Sequence, residues 1–272
     1  MELFAAAFKS AILLYFLAAL GALASAVFGV RRLRLPTVLA VWAGFAAHTG
    51  LMGHQIWISG RPPLSNMYET DLLLAWFVVA ASLLLERRHK TPILAVFTLP
   101  LAVCLLGLAS FNVKEALPLM PSLRSNWLLI HVLACSIAYA AFAVAFACGA
   151  FYLIFERGRG ERVPFFGDRA SLLAWLDAVG LQMVDFGFPF LTIGIATGAV
   201  WADLCWGTYW SWDPKETWSL VTWLVYAICL HMRHVHSWRG RWAAAACVAG
   251  FVCVLCTYWG VNYFFSSLHA YA

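Results

Sequence analysis

The run Trp206-Gly207-Thr208-Tyr209-Trp210-Ser211-Trp212-Asp213-Pro214-Lys215-Glu216-Thr217-Trp218 sets four tryptophans, one tyrosine and three charged side chains between two strongly apolar segments. Upstream lies the apolar stretch 187–204, and downstream a second one runs to 232. A helix that crosses a bilayer needs about 20 mostly apolar residues. The run therefore reads as the turn-around between two membrane crossings, and that reading decides the fold class. Aromatic pairs add roughly 0.5–1.5 kcal/mol beyond simple burial. A soluble protein would scatter such rings through a core. Gathered at a turn, they suggest a platform for a flat apolar ligand.

Working outward, the chain offers eight apolar candidates, at 4–30, 37–58, 69–86, 92–111, 126–155, 187–204, 215–232 and 242–265. The hydrophobic fraction is 63% and the charged fraction 11%, against about 45–50% and 25% in globular chains. The expectation is an all-α polytopic membrane bundle of about eight transmembrane helices. It forms a single membrane domain over 1–272, with 205–218 as an external tryptophan-rich segment. No sizeable soluble domain fits, and neither an internal repeat nor a low-complexity segment is visible in the sequence.

Threading the spans alternately sorts the eighteen basic residues thirteen against five. One side receives Arg31, Arg32, Arg34, Arg87, Arg88, Lys90, Arg157, Arg159, Arg162, Arg169, Arg233, Arg239 and Arg241; the other receives Lys9, Arg61, Lys114, Arg124 and Lys215. The positive-inside rule then puts both termini and the tryptophan run outside. The net charge of +5 belongs to inner loops and not to a nucleic-acid surface. Ala22-Leu23-Ala24-Ser25-Ala26 resembles a signal-peptide cleavage site, but cleavage there would leave Arg31, Arg32 and Arg34 outside. The first span is read as retained.

Helix starts are marked by Thr91-Pro92, by Asn66 with Glu69, and by Asp213 with Pro214 and Glu216. Residues 156–170 form the longest inner loop, and the mixed stretch 171–184 reads as an amphipathic helix along the inner interface. The eight cysteines fall almost entirely in apolar segments, so no disulfide framework is implied. Cys253-x-x-Cys256 lacks a following histidine and reads as two small helix residues. No nucleotide, serine-hydrolase or zinc-protease motif is present.

The histidines carry the chemistry. His131 lies roughly 7 Å below the outer boundary at 1.5 Å per residue, and His269 follows the last span at the same outer level. Two imidazoles at one level, on either side of the aromatic run in sequence, are the arrangement that grips a flat metal complex from both faces. Neutral imidazole is the usual axial ligand of haem iron. The plainer alternative stays open: His131 bonded to a neighbouring carbonyl, and His269 an ordinary tail residue. His231 sits roughly 25 Å from the outer end of its helix and His48 near mid-membrane, by the same rise. Either suits a deeper site. His54, His89, His234 and His236 read as interfacial or solvated. Asp213 reads as a helix cap first, with a ligand role left open.

Trp206-Gly207-x-Tyr209-Trp210-x-Trp212-Asp213-Pro214-Lys215-Glu216-Thr217-Trp218 resembles the tryptophan-rich WWD signature of haem-handling membrane proteins. Gly60-Arg61-x-Pro63-Leu64-Ser65-Asn66-x-Tyr68-Glu69 and the ending Gly260-Val261-Asn262 … His269-x-Tyr271-Ala272 resemble the CcsA branch, part of the System II cytochrome c maturation machinery. The resemblance runs from about residue 37 to the C-terminus. It implies haem b in transit, held outside by His131 and His269 along Trp206, Tyr209, Trp210, Trp212, Asp213 and Trp218. It also implies a transmembrane haem ligated by His231. The other deep ligand would come from a separate CcsB-like membrane subunit, or from His48 within the chain. It further implies a bacterial inner (cytoplasmic) membrane location and presentation of haem to the thiols of an apocytochrome c C-x-x-C-H, as a subunit of a cytochrome c haem lyase. The alternative is a haem carrier of the CcmC type that loads a haem chaperone. A third reading is a scaffold whose tryptophans only anchor it at the interface.

Overall fold

The computed structural model describes residues 2–89, 93–112, 123–158, 160–163 and 167–265. The expected helix start at Thr91-Pro92 and the expected ligand His269 lie outside them. Helix follows helix: α1 (Glu2–Phe28), α2 (Arg34–Ser59), α3 (Met67–His89), α4 (Ala95–Phe111), α5 (Asn126–Glu156), α6 (Arg169–Trp206), α7 (Pro214–Val235), α8 (Arg241–Leu255) and α9 (Val261–Phe264). A π turn, Cys256–Gly260, joins α8 to α9. A two-residue ladder, β1 (Arg162–Val163) with β2 (Gly167–Asp168), precedes α6. Six segments are long and apolar enough to cross a membrane: α1 from Ala6, α2, α3, α5, α6 and the run Arg241–Phe264. The chain is a multi-pass membrane protein.

One element departs from the sequence expectation. Residues 171–184 are not a separate interfacial helix but the first half of α6, which is 38 residues long. Asp168 starts it, accepting from the N–H and hydroxyl of Ser171 at 2.8 Å, and these bonds hold its carboxyl below the usual carboxylate range. Pro189 sits inside the helix, where it frees one carbonyl without ending it. At about 57 Å by the helical rise, α6 outruns a hydrocarbon core of about 30 Å. Its polar first half is closed by a partly buried ion pair in which Arg233 meets both oxygens of Asp177. Arg233 also donates to the carbonyl of Trp238, and Asp177 accepts from the N–H of Gly240.

The helices gather into two compact units, Met1–Pro118 with Pro164–Phe166, and Leu119–Val163 with Gly167–Ala272. In the first, α1 packs on α2 and α4, and α3 packs on α4 and α2. In the second, α5 packs on α6 and α8, and α7 on α8 and α6. The neighbour order is the same, and so is the register. The buried face of α2 is Thr37, Val41, Gly44, His48 and Leu51; at one constant offset, α6 buries Gly180, Val184, Gly187, Leu191 and Gly194. A Cβ on Gly44 would come within 2.9 Å of the Tyr15 ring, and one on Gly187 within 2.8 Å of the Phe142 ring. In each unit one helix contributes a small residue and its partner a large buried aromatic.

Hydrogen bonds repeat as well. The indole of Trp76 (α3) donates to Thr49 Oγ1 at 2.9 Å and lies 5.1 Å from the Phe45 ring. The indole of Trp223 (α7) donates to Thr192 Oγ1 at 2.9 Å and lies 5.2 Å from the Phe188 ring. Each threonine in turn donates to the phenylalanine carbonyl one turn back. The chain is thus a tandem repeat of one four-helix unit. Its sequence hides this because the constraint is side-chain volume at a register, satisfied by Thr37 or Gly180, and by His48 or Leu191.

Candidate functional site: an aromatic joint and a seated histidine

Within the second unit the tryptophan run is the joint between α6 and α7. Gly207 closes α6 with φ 72°, its N–H reaching the carbonyl of Asp203. That left-handed conformation is one glycine adopts without a Cβ clash. Asp213 opens α7: its side chain accepts from Lys215 N at 3.1 Å, and Pro214 takes the first helical position. The expected cap is present, and it accounts for Asp213. Glu216 completes the capping box and does more. Its carboxylate accepts from Asp213 N at 3.2 Å, Ser211 N at 2.8 Å and the Ser211 hydroxyl at 3.3 Å.

Trp212 stands between those two pinned N–H groups, at φ 59°. A bulky residue in the left-handed region costs of order 1–3 kcal/mol and persists where its surroundings over-determine it. Here the buried Glu216 carboxylate is that surrounding, with Thr217 Oγ1 donating to the Trp212 carbonyl at 3.2 Å. The result is an indole held outward, 68% exposed, beside Tyr209 at 59%. Trp210 meets Trp212 edge-on at 5.8 Å, and Trp206 meets the buried Trp201 edge-on at 5.1 Å. Trp218 is half-buried on the first turns of α7. The joint therefore presents aromatic faces instead of packing them away.

The first unit has the same joint without the tryptophans. Gly60 closes α2 in the left-handed region, φ 64°, and Asn66 Oδ1 accepts from Glu69 N at 2.9 Å. Glu69 accepts from Ser65 N and its hydroxyl, and pairs with both Arg61 nitrogens at 2.9 and 3.0 Å. The expected cap is there, with Glu69 reaching back to Ser65.

His131 sits on α5 in the second unit. Its Nδ1 donates to the carbonyl of Gly194 on α6 at 2.6 Å, with Cys135 Sγ 3.8 Å away. The ring fits because α6 carries glycine one turn on: a Cβ on Gly198 would lie 2.6 Å from Nδ1. The carbonyl bond of the plainer reading is real, and among the described residues it engages only Nδ1. Fixing Nδ1 as the donor leaves Nε2 with its lone pair, the tautomer a metal ligand needs. Gly198 lies about 12 Å along the helix from Trp206, and Lys215 is on the first turn of α7 directly after the joint. His131, Lys215 and the aromatic joint thus share one end of this unit. Gly198→Val should push the imidazole off its seat and, in the haem role proposed below, weaken ligation of the iron about 10–100-fold, the range seen when an orienting partner of a ligand is lost. A haem titration at unchanged helix content checks this; unaltered affinity would disconnect the glycine from the ligand.

The other histidines fall elsewhere. His231 is exposed near the far end of α7, its ring 5.7 Å from that of His236. It stands about 27 Å from the α7 cap. His234, read as solvated, pairs with Asp185 at 2.9 Å. His48 belongs to the first unit and is fully buried, with Nδ1 3.4 Å from the Tyr15 hydroxyl and Nε2 unpartnered among the described residues. Sequence reasoning missed Gly194 and Gly198, although Gly194-x-x-x-Gly198 is a small-residue spacing that marks close helix approach. It also missed Glu216 as the clamp of the run.

Six apolar spans among the described residues, an outward aromatic joint and a seated histidine define a multi-pass membrane protein with a candidate binding site at one joint. The chain belongs to the cytochrome c assembly protein family, which matches residues 64–269. A role in cytochrome c biogenesis follows from that membership. The cytochrome c biogenesis protein CcsA of Synechococcus sp. (strain CC9311) is 38% identical, with 87% of this chain and 88% of the relative covered. The CcsA protein of Synechococcus elongatus is 34% identical over 87% and 93% of the two chains, and that of Guillardia theta 36% over 79% and 78%. Among solved structures, the cytochrome c haem lyase CcmF superposes with a TM-score of 0.67 over 98% of this chain at 19% identity. This chain spans 47% of that protein's length, and the likeness is one of fold.

Proposed function

We propose that this protein holds haem b in transit at the aromatic joint and presents it for covalent attachment to apocytochrome c. The observation that carries the reading is His131, whose Nδ1 is fixed on Gly194 while Nε2 is left for iron, in the same unit as the pinned tryptophans. Haem is flat and largely apolar, so stacking on indole faces and ligation by neutral imidazole satisfy both parts of it. His269 supplies the second outer ligand and His231 one ligand of a deeper site. The partner of His231 is a histidine of a CcsB-like subunit, ahead of His48, whose complete burial between helices favours a packing role. The thirteen-to-five distribution of basic residues supports an outer position for the joint and both termini, in a bacterial inner membrane.

The chain contributes positioning. Thioether formation adds each cysteine S–H across a haem vinyl group, sulfur to one carbon and hydrogen to the other, with no net redox change. What it needs is reduced thiols held against a fixed vinyl edge, and holding two reactants in place is worth several kcal/mol of barrier, about 7–11 in the best cases. The histidine of the incoming C-x-x-C-H would replace one axial ligand and favour release. Co-expression with a CcsB-like subunit and an apocytochrome tests the reading: covalent haem on the cytochrome is expected. Haem that co-purifies with no covalent product would leave a carrier of the CcmC type.

A further inference from the structure

We propose that Lys215 is the carboxylate anchor of this site, its ammonium together with Asn262 receiving a haem propionate. The inference rests on the haem reading above and goes beyond it, since it says how the charged edge of the ligand is held. A porphyrin carrying two carboxylates is apolar on its faces and anionic along one edge. Indoles and imidazoles account for the faces and the iron, and they leave the anionic edge unmet. Bringing a carboxylate to a membrane-embedded site without a cation is costly.

Lys215 is placed for that task. It is half-buried on the first turn of α7, and its Nζ donates to Asn262 Oδ1 at 3.3 Å. Asn262 is itself oriented, its amide nitrogen bonding the Tyr258 carbonyl at 2.6 Å. It lies on α9, directly after the π turn Cys256–Gly260, a distortion that recurs at functional sites. On that same turn the Trp259 indole N–H is buried with no hydrogen-bond partner among the described residues. Lys215 opens α7 directly after the tryptophan run, so the cation and the aromatic joint share one neighbourhood.

The repeat supplies an internal comparison. The two joints keep Gly60 and Gly207, Asn66 and Asp213, Glu69 and Glu216, and Thr70 and Thr217 at one offset. These residues build the joint itself. At the position of Lys215 the first unit has Tyr68, a buried residue whose hydroxyl accepts from Gln55 Nε2 at 3.3 Å. The joint therefore forms without a lysine there. The first joint engages its own cation, Arg61, with Glu69; in the second unit Thr208 stands at that offset, and the cation of the joint, Lys215, reaches the neutral amide of Asn262. That placement, beside the tryptophan run, suits the anionic edge of a ligand.

The test is a Soret titration of the purified full chain with haem and with haem dimethyl ester, in which both carboxylates are masked. The wild type should bind haem about tenfold or more tighter than the diester, the value of one hydrogen bond to a charged group. Lys215→Met should lose that preference by weakening haem alone, and Lys215→Arg should keep it. A Lys215→Met protein that retains the wild-type preference overturns the anchor. Equal wild-type affinity for both compounds overturns it too while leaving the haem site standing, and this comparison needs no variant to fold. A wild type that binds neither compound removes the haem reading itself.

Discussion

His131→Ala, co-expressed with an apocytochrome and a CcsB-like subunit, should lose covalent cytochrome c by well over about tenfold, because loss of an orienting partner alone costs about 10–100-fold. The variant should still fold. The side chain is half-buried, and its removal strands only the Gly194 carbonyl, which also accepts from Thr197 Oγ1 at 3.2 Å. Added imidazole should enter the vacated space and restore part of the yield, since it replaces the missing nitrogen without replacing the tether. Haem-stained gels of the cytochrome read both effects. Full yield in the alanine variant would remove His131 from the site. A loss that imidazole does not relieve would point to packing in place of ligation.

Glu216→Ala should be the second most damaging change. The carboxylate accepts from two backbone N–H groups and one hydroxyl, and each hydrogen bond to a charged group is worth about 1.5–3 kcal/mol. Without it Trp212 loses the restraint that holds it at positive φ and relaxes toward ordinary backbone geometry, carrying its indole off the surface. Thermal stability in detergent should fall, and haem affinity should fall with it. Glu69→Ala is the matched comparison, because it opens the equivalent joint of the other unit and leaves the tryptophan run untouched. It should lower stability while sparing haem affinity. If both variants lose haem alike, Glu216 acts through general stability and not through the position of Trp212.

How far the sequence reached differs by element. The spans were legible because a bilayer imposes a length of apolar residues that composition cannot disguise, and the Asn66 and Asp213 caps because a cap is a local pattern. The first half of α6 was not, since Asp177 and Gln182 look interfacial until the Arg233 that answers Asp177 is seen 56 residues away. The tandem repeat was invisible for a related reason: Tyr15 against Gly44 and Phe142 against Gly187 repeat a volume, not a letter. His131 could be nominated from its depth, but its tautomer depends on a carbonyl of another helix. His48 looked equally available as a ligand, and only the packing shows it enclosed. The family resemblance drawn from the tryptophan run agrees with the family match over residues 64–269.

The most direct measurement is the absorption spectrum of the purified protein, oxidised and reduced, beside that of His131→Ala. Haem held by two histidines gives a sharp Soret band with resolved α and β bands on reduction, and the alanine variant should lose the outer-site share of that signal. A wild-type protein without Soret absorbance, or an alanine variant with an unchanged spectrum, would contradict a haem site at the aromatic joint.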